Sequence, residues 1–188
     1  MKKILVLTAA LVMGVATALA VGHFMTSKPA TITAKAQWKN VYRTQSGLVA
    51  GADLIVLAEH VSAEPGRSVG YGEDAVPFTN NTFKVEKILK GDYEGSELIV
   101  EQTGGVMANG LVFSIDDGGP YEIGGRYLLF LNSNEQGAFY VINHQARYSV
   151  RGDELEGVDP TDSVVARFHR VKFDEAGETI RERVKLLK

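Results

Sequence analysis

The chain has 188 residues, 20 Lys+Arg against 23 Asp+Glu, 45% apolar residues, 20 Gly and no Cys, a composition that belongs to a globular protein and excludes a disulfide scaffold, thiol catalysis and Cys-ligated zinc. Six basic residues precede the first acid, Asp53, so from there on 14 basic groups face all 23 acidic ones, a net of −9. An acidic body offers nothing to a phosphate backbone, which argues against nucleic acid as a partner.

Met1-Lys2-Lys3 opens the chain, and Ile4 to Val21 follows without a charge. A basic flank before such a run is what export machinery reads, and residues 1–25 are expected to be a hydrophobic helix serving as a signal peptide or a membrane anchor. Ala18-Leu19-Ala20 is a small-x-small cleavage pattern. With Gly22 to Met25 included, the segment also reaches the ~20 residues that span a bilayer. Both outcomes place the body outside the cytoplasm, either secreted or held at the membrane by the uncleaved segment.

Residues 26–47 read as a tether rich in Thr, Ala and Lys. Lys28, Lys35, Lys39 and Arg43 within it are either a solvated tether or a basic patch near anionic polymer or headgroups. Trp38 and Tyr42, four apart, are expected to pack on the following domain, although an aromatic-plus-basic pair also suits a membrane interface.

Residues 48–188 read as a mainly β (α+β) domain. Leu54–Ala58 is an apolar, β-branched run bounded by Gly51 and Pro65-Gly66, and predicts a buried strand. In Thr79–Lys90, Phe83 and Val85 share a face while Ile88 falls out of phase, so a bulge near Lys87 is expected in preference to a helical turn. Lys90–Gly95 predicts a turn and Leu98–Val100 a third strand. Leu111–Ile115 predicts a half-buried fourth strand, ended by Asp116-Asp117-Gly118-Gly119-Pro120. Tyr127–Leu131 is apolar on both faces, as a central strand would be, and is the leading core candidate. Phe139–Ile142 is a further strand, and Tyr148–Val150 with Arg151-Gly152-Asp153 and Leu155 predicts a hairpin. Asp159–Asp162 breaks the pattern, and Val164–Val171 fits either a helix or an extended crossover. From about Glu175, Ile180, Val184 and Leu187 recur at helical spacing and predict a carboxy-terminal amphipathic helix.

Four stretches in order, Ala52–Glu59 (ADLIVLAE), Phe83–Gly91 (FKVEKILKG), Glu101–Gly105 (EQTGG) and Gly125–Leu131 (GRYLLFL), resemble small exported bacterial proteins that share the OB-type barrel of the netrin and tissue-inhibitor-of-metalloproteinase family. The resemblance covers roughly residues 48–157. It implies an OB-like, five-stranded Greek-key barrel with helices packed on it, used to hold partners. The animal inhibitors place an amino-terminal Cys on a protease zinc. This chain has no Cys, so that mechanism does not carry over.

Motifs for chemistry are sparse. Gly66-Arg67-Ser68-Val69-Gly70 matches the G-x-S-x-G elbow, but Tyr71–Pro77 is loop chemistry where a helix is required, and a Gly-rich loop is the expectation. Gly70-Tyr71-Gly72 lacks the third Gly of a dinucleotide fingerprint. Among His23, His60, His144 and His169 none stands four from another, and no metal site is expected even with Glu59 and Glu64 beside His60. Asp116-Asp117 and Asp153/Glu154/Glu156 read as solvated turns. Arg151-Gly152-Asp153 reads as a turn before an integrin tripeptide, and Asn80-Asn81-Thr82 is only a formal glycosylation sequon.

The expectation is therefore a non-catalytic extracytoplasmic module without cofactor or metal, binding a protein or glycan of the cell envelope through the irregular segments Glu64–Pro77 and Thr103–Gly110. Two alternatives stand beside it. One is a small exported serine hydrolase using Ser68, with His60 or His144 as base and Asp74 or Asp116 behind it. The other is a metalloprotease inhibitor that works without Cys.

Overall fold

The structure is a computed structural model and describes residues 29–38 and 40–187. The expected amino-terminal helix and its cleavage site lie outside these residues. No described helix is long and apolar enough to cross a membrane.

The described chain is mainly β with a carboxy-terminal helix. Its strands are β1 (Thr31–Ala34), β2 (Leu54–Val69), β3 (Val76–Lys90), β4 (Glu97–Val106), β5 (Val112–Ile115), β6 (Arg126–Ser133), β7 (Phe139–Val141), β8 (Arg147–Arg151) and β9 (Glu154–Gly157). Helix α1 (Gln45–Gly51) precedes β2, α2 (Phe173–Lys185) closes the chain, and short 3-10 turns occupy Gly72–Asp74, His144–Ala146 and Val165–Arg167. The hydrogen-bonded order is β1-β5-β4-β3-β2-β6-β8-β9, and β7 pairs with both β4 and β6. The β4–β7 pairing is parallel and consists of the single pair Val100–Phe139, whereas β6 pairs antiparallel with β2, β7 and β8.

Because β6 has strands on both sides, every residue of Tyr127–Leu131 is buried. Side chains alternate across it into two cores. Leu128 and Phe130 join Leu48, Ile55, Tyr148, Val165, Phe168 and Ile180 beneath the helices, while Tyr127, Leu129 and Leu131 join Val56, Phe83, Leu98 and Val100 on the other face. The expected register break in β3 is present twice: pairing with β2 skips Leu89 and then Glu86, on either side of Lys87, so a bulge rather than a helical turn absorbs the misplaced Ile88.

Three expectations are corrected. The tether contains a strand, β1, parallel to β5, and its carboxy-terminal end already belongs to α1. Glu64–Pro77 is not an irregular loop: β2 runs through Pro65-Gly66 to Val69, and β3 starts at Val76. Pairing shifts between Pro65 and Ser68, which lets a residue without an N–H sit in a strand by leaving the ladder locally. Thr103–Val106 likewise continues β4, with Gly104 and Gly105 at φ 129° and 145° and the turn proper only at Met107–Gly110.

Two polar side chains set the helices. The Thr44 hydroxyl accepts from Gly47 N–H at 3.0 Å and caps the start of α1. At its other end the Lys90 ammonium donates to the carbonyls of Val49, Ala50 and Ala52, the orphan acceptors of a helix terminus. Gly91 follows at φ 84° against the Asp53 carbonyl, where a Cβ would collide. In α2, Asp174 and Glu175 occupy the first turn and Arg183 and Lys185 the last, in accord with the helix dipole.

Candidate functional site

Beyond the single Val100–Phe139 pair, β4 and β7 part, and a cleft of about 290 Å³ opens between Glu101–Thr103 on one and Tyr140–Val141 on the other. Arg67 of β2, Phe78 of β3, Asp117 and Tyr121 of the β5–β6 loop, Arg147 of β8 and Trp38 complete its walls.

Each polar group is held in place. Arg67 forks onto Glu101, Nε to Oε1 at 2.7 Å and Nη2 to Oε2 at 2.9 Å, and its guanidinium lies 4.6 Å from the Phe78 ring centre. Asn134 Nδ2 reaches the same carboxylate at 3.5 Å. Arg147 is only 6% exposed. It stacks 3.8 Å above Tyr121 and donates to the carbonyls of Gly119 at 2.6 Å and Pro120 at 3.2 Å, so a buried cation is satisfied by backbone and an aromatic face without a carboxylate hydrogen bond. Gln102 Nε2 donates to Asp117 Oδ1 and Oδ2 at 3.2 and 3.1 Å and to Gly119 O at 2.9 Å. Burial pushes the Asp117 carboxyl above the usual carboxylate range, against the opposing pull of the Gln102 amide and the Arg147 charge. Burial raises the Tyr121 hydroxyl as well, so it stays neutral.

One rim is fixed by a buried amide pair. Asn143 and Gln145 are almost fully buried. Gln145 accepts from Tyr42 N–H at 2.8 Å and donates to Tyr42 O at 3.0 Å, while Asn143 Nδ2 donates to Asn40 O at 2.9 Å. Together they strap the segment after Trp38 against the domain. Gln145 also donates to Asp162 at 2.9 Å. Burial works to raise the Asp162 carboxyl, but the N–H groups of Val164 and Val165 and the Gln145 amide outweigh it and hold it below the ordinary value. Tyr42 packs into the core, as expected, and its ring lies against Gly51.

The nominated catalytic residues occupy separate places. Ser68 is exposed in β2 opposite Pro77, in an extended strand and not at a strand-to-helix turn. His60 is 1% exposed, wedged between Phe83 and Tyr121 with ring centres at 5.0 and 5.6 Å. Its Nε2 faces the Ser62 carbonyl at 2.9 Å, so that nitrogen carries the proton, and Nδ1 is sealed in the core. Ser68 lies eight positions beyond His60 along a strand with two register shifts, opposite six positions of β3, or roughly 20 Å at the usual ~3.3 Å rise. His144 sits 3.7 Å from Asp162 Oδ2 and 6.2 Å from the Trp38 ring. Among the described residues no hydrogen bond joins Ser68 to either histidine; Asp74 lies in the Gly72–Asp74 turn and Asp116 accepts from Ala36 N–H at 2.6 Å. No three His, Asp or Glu residues among those described are grouped to hold a metal ion.

Arg151-Gly152-Asp153 is the β8–β9 turn, with Gly152 at φ 65°, Arg151 forked onto Glu122 and Asp153 paired to Lys172 at 2.9 Å. Asp116 is exposed, whereas Asp117, read as part of the same solvated turn, is half-buried and accepts from the Gln102 amide. Gln102 and Arg147 were not anticipated. No signal in the sequence marks Arg147: it alternates with Ala146, Tyr148 and Val150 in phase with Ser149 and Arg151, on what reads as the polar face of the strand.

No protein-family model matches the chain, and no curated protein matches it.

Proposed function

We propose that the chain is a non-catalytic extracytoplasmic binding module whose ligand occupies the cleft between β4 and β7. The pairing pattern supports an OB-like barrel for it. β4-β3-β2-β6 and the two contacts of β7 form a closed circuit of five strands, with the third and fifth parallel, as in a Greek-key barrel. Export by the amino-terminal segment, with membrane attachment if it stays uncleaved, belongs to the same reading.

The lining of the cleft carries the proposal. Aromatic rings from Trp38, Phe78, Tyr121 and Tyr140 surround two acid–base sets, Arg67 with Glu101 and Asp117 with Gln102 and Arg147, whose charges balance. Arg67 and Arg147 already lie over Phe78 and Tyr121, so the rings of Trp38 and Tyr140 beside balanced, prepositioned donors and acceptors are what suit an uncharged polar ring, and we assign a sugar unit of an envelope glycan as the ligand. No Ser, Cys or His lines the cleft among the described residues, which sets the reading apart from a serine hydrolase.

Trp38 is the sole tryptophan and lines the cleft, so its emission reports occupancy directly. Titration with envelope glycan fragments should give a saturable change that Gln102→Ala weakens at least about tenfold, the scale of losing one or two good hydrogen bonds. A response only to an envelope protein would replace the glycan by a protein partner. Turnover of an ester, peptide or glycan that Ser68→Ala abolishes would overturn the reading.

A further inference from the structure

A second cavity, of about 370 Å³, lies where the start of α1 meets the Val165–Arg167 turn and the end of α2, and it shares no residue with the cleft. Arg43, Arg167 and Arg183 line it with the hydroxyl residues Thr44, Ser46 and Ser163, and no carboxylate does among the described residues. Arg183 is tied to neutral partners only, Nη1 donating to Ser46 Oγ at 2.6 Å and Nη2 to Gln45 Oε1 at 2.9 Å. Arg43 and Arg167 are exposed and make no ion pair and no side-chain hydrogen bond to any described residue. Of the acids adjacent in sequence to lining residues, Asp162 beside Ser163 spends its carboxylate on Val164 N–H, Val165 N–H and Gln145, and Glu182 beside Arg183 is exposed and does not line the cavity.

Three arginines thus line one cavity without a carboxylate among the described lining residues, on a body that is otherwise net negative. By contrast, Arg67, Arg126 and Arg151 each fork onto a carboxylate. Like charges gathered without internal compensation repel, and an arriving anion relieves that repulsion. A carboxylate presents two oxygens, fewer than three planar forks and their neighbouring hydroxyls can engage, whereas a phosphoryl group presents three or four.

We propose that this cavity binds a phosphoryl group, as a soluble phosphate ester or as the headgroup of an anionic lipid. The site is independent of the cleft and stands or falls without it. The test uses the full chain in non-ionic detergent, with phosphorus NMR of glycerol 3-phosphate and of a short-chain phosphatidylglycerol, and acetate as a competitor. The expected result is a saturable shift of at least one phosphorus signal, resistant to acetate and weakened about tenfold or more in R43Q/R167Q, which removes no ion pair or side-chain hydrogen bond to a described residue. Equal affinity for both probes assigns a soluble ester; clearly tighter binding of the lipid assigns a headgroup. No shift with either probe, displacement by equimolar acetate, or unchanged affinity in R43Q/R167Q while the variant melts like the parent would each overturn the proposal.

Discussion

Gln145 is a side chain that behaves as backbone. By accepting from Tyr42 N–H and donating to Tyr42 O it pairs with one residue as a strand neighbour would, and the bond to Asp162 fixes its orientation. Gln145→Ala leaves the Tyr42 N–H and C=O without their side-chain partner and takes one donor from Asp162, at roughly 1–3 kcal/mol for each group that water does not reach. Urea unfolding should show a loss of about 2–4 kcal/mol; a loss below about 1 kcal/mol would mean the strap is replaced by solvent. Asp117 has the opposite sign. Its folded-state pKa lies above the ordinary ~3.9, so over that interval the native protein holds more protons than the unfolded chain, and stability falls as pH rises through it and stays lower above. Asp117→Asn removes that loss. Its melting temperature should exceed that of the parent near neutral pH, with the gap narrowing at mildly acidic pH; a gap independent of pH would contradict a raised carboxyl.

At the scale of elements, β6 and the bulged β2–β3 pair dominate. Leu129 and Phe130 point to opposite cores, so truncating either tests whether the two are one cooperative unit. Leu129→Ala should cost about 2–5 kcal/mol and Phe130→Ala about 3–5 kcal/mol, each in a single transition seen alike by circular dichroism and Trp38 emission. Two separated transitions would show that the cores melt apart. These strands were largely legible in the sequence, because Tyr127–Leu131 is apolar at every position and Ile88 breaks a period-two pattern for which a bulge is preferred over a helical turn. The ends of β2 and β3 were not. Pro65, Gly66 and Gly70 carry turn chemistry, yet cross-strand pairing of Glu64–Val69 with Val76–Asn80 overrides it. β1 was hidden for a similar reason: Thr31–Ala34 has no apolar rhythm of its own and becomes a strand by adding to the edge of β5.

For the molecule as a whole, the cleft depends on long-range closure that local pattern does not encode. Trp38, Arg67, Gln102, Asp117 and Arg147 come from five separate parts of the chain and meet because β7 touches β4 once and then diverges. Periodicity placed the strands, and it is blind to which loop residues face one another across a gap. That is why Ser68 and the histidines drew notice from sequence while the converging groups did not. The central claim is that the cleft holds its ligand and leaves it unchanged. The most direct measurement is mass spectrometry of an envelope glycan fragment recovered after prolonged incubation at a concentration that saturates the Trp38 response. The account predicts recovery at the starting mass. A cleaved or transferred product, formed by the parent protein and not by Asp117→Asn or Glu101→Gln, would contradict it and make the same cleft an active site.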